Sequence, residues 1–515
     1  MNASLLKTRL ALWLCLPVGA AVSLAFAPFN WWPLGILGTA YLFVVWHDAA
    51  PRRAAGAGFL FTAGTFLAGT YWLYHSVYEI GHAPIALTIF VIVIIAAVMG
   101  GYTAGLGYVL ARWIHVPKAW RWLVILPAAI AVLEWFRGWF LSGFPWLALG
   151  YTQIDAPLAG LAPLVGVYGA SFFVTLTAGA LVALLFGSSR TRIAAASAVV
   201  AVWILGFTLW GHDWTQPTGK PVTVALVQGA IPQEMKLDRT QFEHIIEVYR
   251  SLTAAHLGAD IIVWPESALA VPVDMLGGFL GPQWEAAKRS GSVLVLGQLR
   301  HDQRRDVYYN AVLALGDEPQ WYAKRRLVPL AEFFPVPEFF RSWLQGMDLP
   351  YSGFEAGGDS QPALDAAGQK LGVTICYEDA YASDQLAVLK DATLLVNVTN
   401  DAWFGDSTAA HQHLQISRMR ALEAGRTMLR AANDGISAII GPDGRVMSTL
   451  PRFQPGVLTG SVQPRVGLTP YARFGNWSVI AFSLAVLIGS LALSLRAALR
   501  SRRGVQSQSL QGDVS

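Results

Sequence analysis

The sequence predicts a polytopic α-helical membrane domain of about eight spans joined to one α/β domain built as a layered sandwich. Three observations predict it. Only 14% of the 515 residues are charged and 54% are hydrophobic, whereas a soluble protein carries about 25% charged residues. With a mean hydropathy of +0.43, much of such a surface has to face lipid. Apolar runs long enough to cross a bilayer follow one another through residues 1–212. From 220 to 470 short strand-like runs alternate with helical patterns instead, as in sheets covered by helices.

The expected spans lie near 8–27, 32–48, 56–75, 84–110, 122–141, 159–187 and 193–211, with an eighth at 475–497 centred on the apolar run 479–488. Twenty tryptophans suit an interfacial belt. Lysine and arginine in the short loops set the orientation. Lys7 and Arg9 precede the first span, Arg52 and Arg53 separate the second and third, Arg112, Lys118 and Arg121 the fourth and fifth, and Arg190 and Arg192 the sixth and seventh. The alternate loops hold little beyond Glu79, Asp155 and Arg137. The positive loops thus share one side with Arg496, Arg500, Arg502 and Arg503. That side is expected to be cytoplasmic, with both termini, which places the 220–470 domain in the periplasm of a bacterial inner membrane. Ala25-Phe-Ala27 imitates a signal-peptide cleavage site, but Pro28 follows directly and Trp31 and Trp32 prolong the membrane character. The first span is therefore expected to be retained. The Ser/Gln-rich end, 504–515, has the composition of a disordered cytoplasmic tail.

Inside the polar domain the strand-like runs fall at 221–229, 261–264, 292–298, 310–315, 371–375, 394–398, 437–440 and 457–462. Residues 240–256 place Phe242, Ile245, Ile246, Tyr249 and Leu252 at helical spacing, and 412–432 is similar.

The net charge of +4, without a basic stripe interleaved with aromatics, excludes a nucleic-acid footprint. The chain has no G-x-S-x-G elbow, P-loop, H-E-x-x-H or C-x-x-C motif. His411 and His413 stand i, i+2 at a helix start and face two directions, so no metal site is expected of them. The two cysteines, Cys15 in an apolar span and Cys376 in the polar domain, make no disulfide framework. Three strand ends remain. An apolar run from Ile261 leads through Pro265 to Glu266; alone, Glu266 with Ser267 reads as a capping turn. Lys324, Arg325 and Arg326 alone read as a solvated basic edge. Cys376 ends the apolar run from Leu371, and a lone cysteine there is most often a small core residue. Together the three supply what a thiol nucleophile needs. A carboxylate can take the thiol proton as general base. An ammonium lowers the thiol pKa and, with the backbone N–H after the cysteine, donates to a developing oxyanion.

The order Glu, Lys, Cys at successive strand ends resembles the nitrilase superfamily, and the chain closely resembles the bacterial apolipoprotein N-acyltransferases over almost its whole length. The resemblance rests on Val224-Ala-Leu-Val-Gln-Gly229, Ile231-Pro-Gln233, Trp264-Pro-Glu266-Ser267, Tyr322-Ala-Lys324, Leu327-Val-Pro329 with Glu332, and Cys376-Tyr-Glu378. Asn400-Asp-Ala-Trp-Phe404, Arg418-Met-Arg-Ala-Leu-Glu423, Gly143-Phe-Pro-Trp146 and Gly150-Tyr-Thr-Gln-Ile-Asp155 extend it into the membrane half. It implies a nitrilase-like α-β-β-α sandwich with Glu266 as base, Lys324 as oxyanion stabiliser, Cys376 as nucleophile, and Glu332, Tyr377 and Glu378 in support. It further implies a monomer without cofactor or metal. The implied reaction moves a fatty acyl group, from sn-1 of phosphatidylethanolamine, through a Cys376 thioester to the α-amine of the diacylglyceryl-cysteine of apolipoproteins. This is the last step of lipoprotein maturation. Two departures, Leu237 where the family often has Trp and Leu330-Ala331 before Glu332, fall outside the implied triad and bear on lipid or partner gripping.

Moving a long acyl chain out of lipid costs about 0.8 kcal/mol per CH₂ exposed, so such an enzyme is expected to work at the bilayer surface. Residues 268–280, with Pro272, Met275, Leu276 and Phe279, and the aromatic run from Phe333 to Phe340 with Trp343 are either lipid-facing arms or packing against the domain core. A membrane-tethered amidase acting on a small amide, and a transporter or receptor with an inert outer domain, are the competing readings. The second needs intramembrane charges, and only Glu134 and Arg137 qualify, spaced i, i+3 as if to pair.

Overall fold

The computed structural model describes residues 8–329, 332–333 and 354–512. Seven apolar helical stretches come first: α1 (Arg9–Ala25), α2 (Pro33–Trp46), α3 (Pro51–Gly69), α4 (Ile85–Trp113), α5 (Lys118–Arg137), α6 (Pro157–Phe186) and α7 (Ser189–Leu209). With the last helix of the chain, α4 to α7 make five described helices long and apolar enough to cross a membrane. The eight spans expected from hydropathy thus reduce to five on length and composition, although a helix occupies each expected stretch. α2 shows why: its 14 residues reach about 21 Å, short of a hydrocarbon core of ~30 Å. Small residues let α1, α3 and α4 approach closely. A Cβ on Gly19 would lie 1.9 Å from the Phe61 carbonyl oxygen, and one on Gly64 2.1 Å from that of Leu16. Within α6 the helix breaks at Gly166, whose φ is +67°.

The polar domain holds fourteen described strands in three sheets. In chain order they are β1 (Gln216–Pro217), β2 (Val222–Gln228), β3 (Ile261–Trp264), β4 (Val293–Asp302), β5 (Val307–Leu315), β6 (Pro319–Ala323) and β7 (Leu364–Ala366), then β8 (Gln369–Ile375), β9 (Leu394–Thr399), β10 (Met428–Ala432), β11 (Ala438–Ile440), β12 (Val446–Thr449), β13 (Gly456–Val462) and β14 (Arg465–Val466). One six-stranded sheet runs β13-β2-β3-β4-β5-β6, the other β12-β11-β10-β9-β8-β7, and β1 pairs with β14. In each six-stranded sheet the central pairs are parallel: β2 with β3 and β3 with β4, β8 with β9 and β9 with β10. Strands buried on both faces read as unbroken apolar runs, as Ile261–Trp264 does.

The two sheets pack face to face, with Val224, Leu226, Val263 and Val312 of one sharing a core with Val373, Ile375, Val396 and Leu429 of the other. The opposite face of the first sheet, through Ala225, Ile262, Trp264 and Leu296, is covered by α8 (Phe242–Ala254) and α9 (Gly277–Ser290). α10 (Ala409–Ala424) packs beside β10 and reaches the membrane helices. There the Glu423 carboxylate accepts the Val167 N–H, just past the break in α6, at 2.6 Å.

Of the two arrangements expected for 268–280, the structure takes the second. Residues 268–280 pack on the domain core through Ala268, Leu269, Leu276 and Leu280, while Met275 alone of their large apolar side chains is fully outward, at 74% exposure. The aromatic run after Phe333, with Trp343, and the Leu330-Ala331 departure lie outside the described residues. Glu134 and Arg137 act on each other as charges but have further partners of their own: Glu134 accepts the Leu149 N–H at 2.9 Å, and the Arg137 guanidinium sits over the Phe66 ring at 4.9 Å. The final helix, α11 (Trp477–Gly512), continues through most of the Ser/Gln-rich stretch.

Candidate active site

The sheet geometry gathers the three strand ends. β3 stops at Trp264 and Pro265 hands the chain to Glu266; β6 stops at Ala323 immediately before Lys324; β8 stops at Ile375 immediately before Cys376. All three side chains are buried. Cys376 has φ +52° and opens a short 3-10 helix, Cys376–Ala380. Left-handed backbone at a non-glycine residue costs on the order of 1–3 kcal/mol and persists only where its surroundings impose it. Here the sharp turn lifts the side chain out of the sheet toward Glu266 and Lys324, whose charges both act on the thiol.

Lys324 Nζ lies 3.1 Å from Glu266 Oε1 and 2.8 Å from Glu332 Oε1. The Asn310 amide on β5 donates to the same two oxygens at 2.7 and 2.8 Å. The other Glu266 oxygen accepts the Asn400 N–H at 2.9 Å, and the other Glu332 oxygen accepts the Val328 N–H at 2.8 Å. An ammonium between two carboxylates stays charged: burial disfavours it, but Glu266 and Glu332 outweigh burial and hold Lys324 well above the usual lysine range. Burial, reinforced by Glu266, pushes the Cys376 thiol up well above its ordinary value, with Lys324 opposing. The sulfur therefore rests as a thiol and needs a base at the moment of attack.

Glu378 does not turn toward the thiol. Its Oε1 accepts the backbone N–H groups of Arg325 and Arg326 at 2.6 and 3.2 Å, and its Oε2 accepts the Ile375 N–H at 2.8 Å and the Tyr322 hydroxyl at 2.9 Å. It ties the segment after Lys324 to the residue before Cys376. Burial raises its pKa, against the Ile375 and Arg325 N–H groups that lower it. Tyr377 faces the membrane half: its ring stacks on Trp146 at 6.1 Å and its hydroxyl donates to the Gly143 carbonyl at 3.3 Å. Leu237 closes a short helix, Gln233–Leu237.

Sequence reasoning missed Asn310 and a buried ionic cluster behind Cys376. His413 Nδ1 is 2.9 Å from Asp401 Oδ1, and its Nε2 is 3.1 Å from Asp379 Oδ1. Arg430 Nη2 is 3.0 Å from Asp401 Oδ2, its Nη1 donates to Asn397 at 2.6 Å, and Ser417 donates to Asp379. Two carboxylates balance two cations. His413, though buried, is raised to about 9 because Asp379 and Asp401 outweigh the burial and Arg430 that lower it. His411, two residues earlier, is only partly buried and lies outside this cluster. One signal was readable: Asn310 and Asn397 are polar residues inside otherwise apolar strands, and a buried amide demands partners.

Residues 18–180 match the family model for the apolipoprotein N-acyltransferase N-terminal domain, and 223–471 match that for carbon-nitrogen hydrolases. Apolipoprotein N-acyltransferase of Pseudomonas putida is 39% identical over 496 residues, covering 94% of this chain and 97% of that protein. The Methylococcus capsulatus enzyme of the same name is 38% identical, covering 97% and 99%, and that of Chromobacterium violaceum is 40% identical, covering 93% of each. Among solved structures, a CN-hydrolase superfamily protein from Xanthomonas campestris aligns with 48% of this chain and 91% of its own at 17% identity, with a TM-score of 0.36.

Proposed function

This chain belongs to the apolipoprotein N-acyltransferase family, and from that membership we propose a Cys376 ping-pong acyl transfer from phospholipid to apolipoprotein. It is a membrane-embedded acyltransferase of lipoprotein maturation. The observation that carries the mechanism is the buried Lys324 ammonium bridging Glu266 and Glu332, with the charges of Lys324 and Glu266 both acting on Cys376. In the first half, Glu266 takes the Cys376 proton as the sulfur attacks the sn-1 ester carbonyl of phosphatidylethanolamine. The oxyanion is met by Lys324 and the Tyr377 N–H. The carbon–oxygen bond then breaks, the leaving oxygen takes the proton back from Glu266, and a lysophospholipid departs. In the second half the α-amine of a diacylglyceryl-cysteine attacks the thioester. The amide forms, the carbon–sulfur bond breaks, and the amine proton passes through Glu266 to the sulfur. The burial of Cys376 supports aminolysis over hydrolysis, because water is kept from the thioester. The lysine and arginine distribution supports a periplasmic catalytic domain with both termini cytoplasmic.

Intact-protein mass spectrometry after incubation with phosphatidylethanolamine vesicles tests this. Wild type should gain one acyl mass on Cys376 and lose it when a diacylglyceryl-cysteine peptide is added, and Cys376→Ser should gain no thioester. A wild type that hydrolyses small amides yet never acquires an acyl mass would establish the tethered amidase instead.

A further inference from the structure

The Cys376 carbonyl oxygen accepts the Asn397 amide at 3.3 Å and lies 3.1 Å from His413 Nε2. That oxygen and the Tyr377 N–H belong to one planar peptide unit, and the bond is trans, since the only cis peptide among the described residues is Ala27-Pro28. Whatever holds the carbonyl on one side therefore aims the N–H at the other. We propose that His413, as an imidazolium, is a positioning residue: with Asn397 it clamps the Cys376 carbonyl and so aims and polarises the Tyr377 N–H as an oxyanion donor. The inference rests on the proposed function, which makes that N–H an oxyanion donor.

The surroundings of the ring explain why it can do this. A neutral imidazole donates through one nitrogen only, but both ring nitrogens of His413 face acceptors: Nδ1 faces Asp401, and Nε2 faces Asp379 and the Cys376 carbonyl. Only the protonated ring satisfies both sides. Asp379 stands in the turn after β8, Asp401 in the turn after β9, Arg430 on β10 and Ser417 one helical turn along α10, while the Trp146 ring from the membrane half lies 5.7 Å away. The raised pKa of His413, about 9, follows from this pairing. The strain at Cys376 gives the clamp its purpose, because a residue at φ +52° relaxes unless its peptide is held. Hydrogen bonds to the carbonyl also polarise the N–H of the same unit.

Two reactions at one sulfur separate positioning from mere structure. Acylation by phosphatidylethanolamine passes through an oxyanion, whereas alkylation by iodoacetamide is a displacement at carbon and needs none. His413→Gln keeps a donor but loses the charge, and should slow acylation about 10- to 100-fold while alkylation stays within about threefold. Equal losses in both would make His413 a structural residue, and an unchanged acylation rate would remove its role; either overturns the inference. Should the variant not fold, the pH profile of Lys236→Met replaces it. That substitution removes Lys236, a buried lysine lowered to about 8 by burial, which would otherwise titrate in the same range. Acylation relative to alkylation should then fall as pH rises through about 9, and a ratio that does not fall refutes the clamp. A wild type that forms no acyl-enzyme at all would overturn the proposed function itself, a distinct result.

Discussion

Glu378→Gln is the sharpest test of how the site is assembled. The carboxylate accepts four donors, two on each oxygen: Arg325 and Arg326 N–H, and Ile375 N–H with the Tyr322 hydroxyl. A glutamine amide has one oxygen, so its NH₂ must face one of these pairs. Facing the arginine pair orphans two backbone N–H groups. Facing the other orphans the Ile375 N–H and turns the Tyr322 hydroxyl, which already accepts Arg325 Nε at 3.1 Å, from donor to acceptor, so its proton loses its partner. The second arrangement wins, because the Tyr322 hydroxyl can turn; it leaves the buried Ile375 N–H unsatisfied at about 1–3 kcal/mol and costs the Tyr322 proton its acceptor at about 1 kcal/mol. The total is about 2–4 kcal/mol. These donors flank Lys324 and Cys376, so the loss should fall on site geometry, which at ~1.4 kcal/mol per decade is about 30- to 1000-fold in acylation rate. The assay is the initial rate of acyl-enzyme formation at saturating phospholipid, alongside a thermal melt. A rate within about threefold of wild type, with an unchanged melt, would refute the claim that Glu378 ties the two strand ends together.

Three further outcomes are expected. Lys324→Met should lower acylation about 10²- to 10³-fold through loss of an oxyanion donor. It should also lower the melting temperature, because it leaves Glu266 and Glu332 without their shared cation. Gly297→Ala would put a Cβ 2.2 Å from the Pro265 carbonyl oxygen and 2.7 Å from Glu266 Cα, both backbone atoms that cannot yield. Acylation should then fall about 10²-fold by displacing the base, while iodoacetamide still labels Cys376. The third concerns stability and pH. The folded-state pKa of His413, about 9, lies above its ordinary 6.5, so its contribution is fully present below 6.5 and is lost as pH rises through about 9. Lys236, lowered to about 8, titrates in the same range with the opposite sign. The test is thus the melting-temperature difference between wild type and His413→Gln, which should shrink as pH rises from about 6.5 through about 9, and a constant difference would contradict it.

Local patterns determined the membrane character, the α/β texture between 220 and 470, and the three chemical strand ends. Each of these is written in consecutive residues. An apolar run that stops at Pro265-Glu266, or at Cys376, is visible wherever the strand lies in the sheet. The number of helices long enough to cross was less legible, since hydropathy finds apolar stretches without the turns that shorten α2. The tertiary structure alone decided which polar groups share a charge. Asn310 reaches Glu266 across 44 positions, Lys324 across 58, and His413 lies 37 positions from the carbonyl it faces. Periodicity along a chain carries no information about such pairs, because they are set by the packing of two sheets and the helix α10. The same holds for Glu378. The sequence marks Glu378 only as a residue in support, and it is the 3-10 turn that aims it at the backbone behind the site. That turn begins at Cys376 with φ +52°, a left-handed conformation that only the folded surroundings impose.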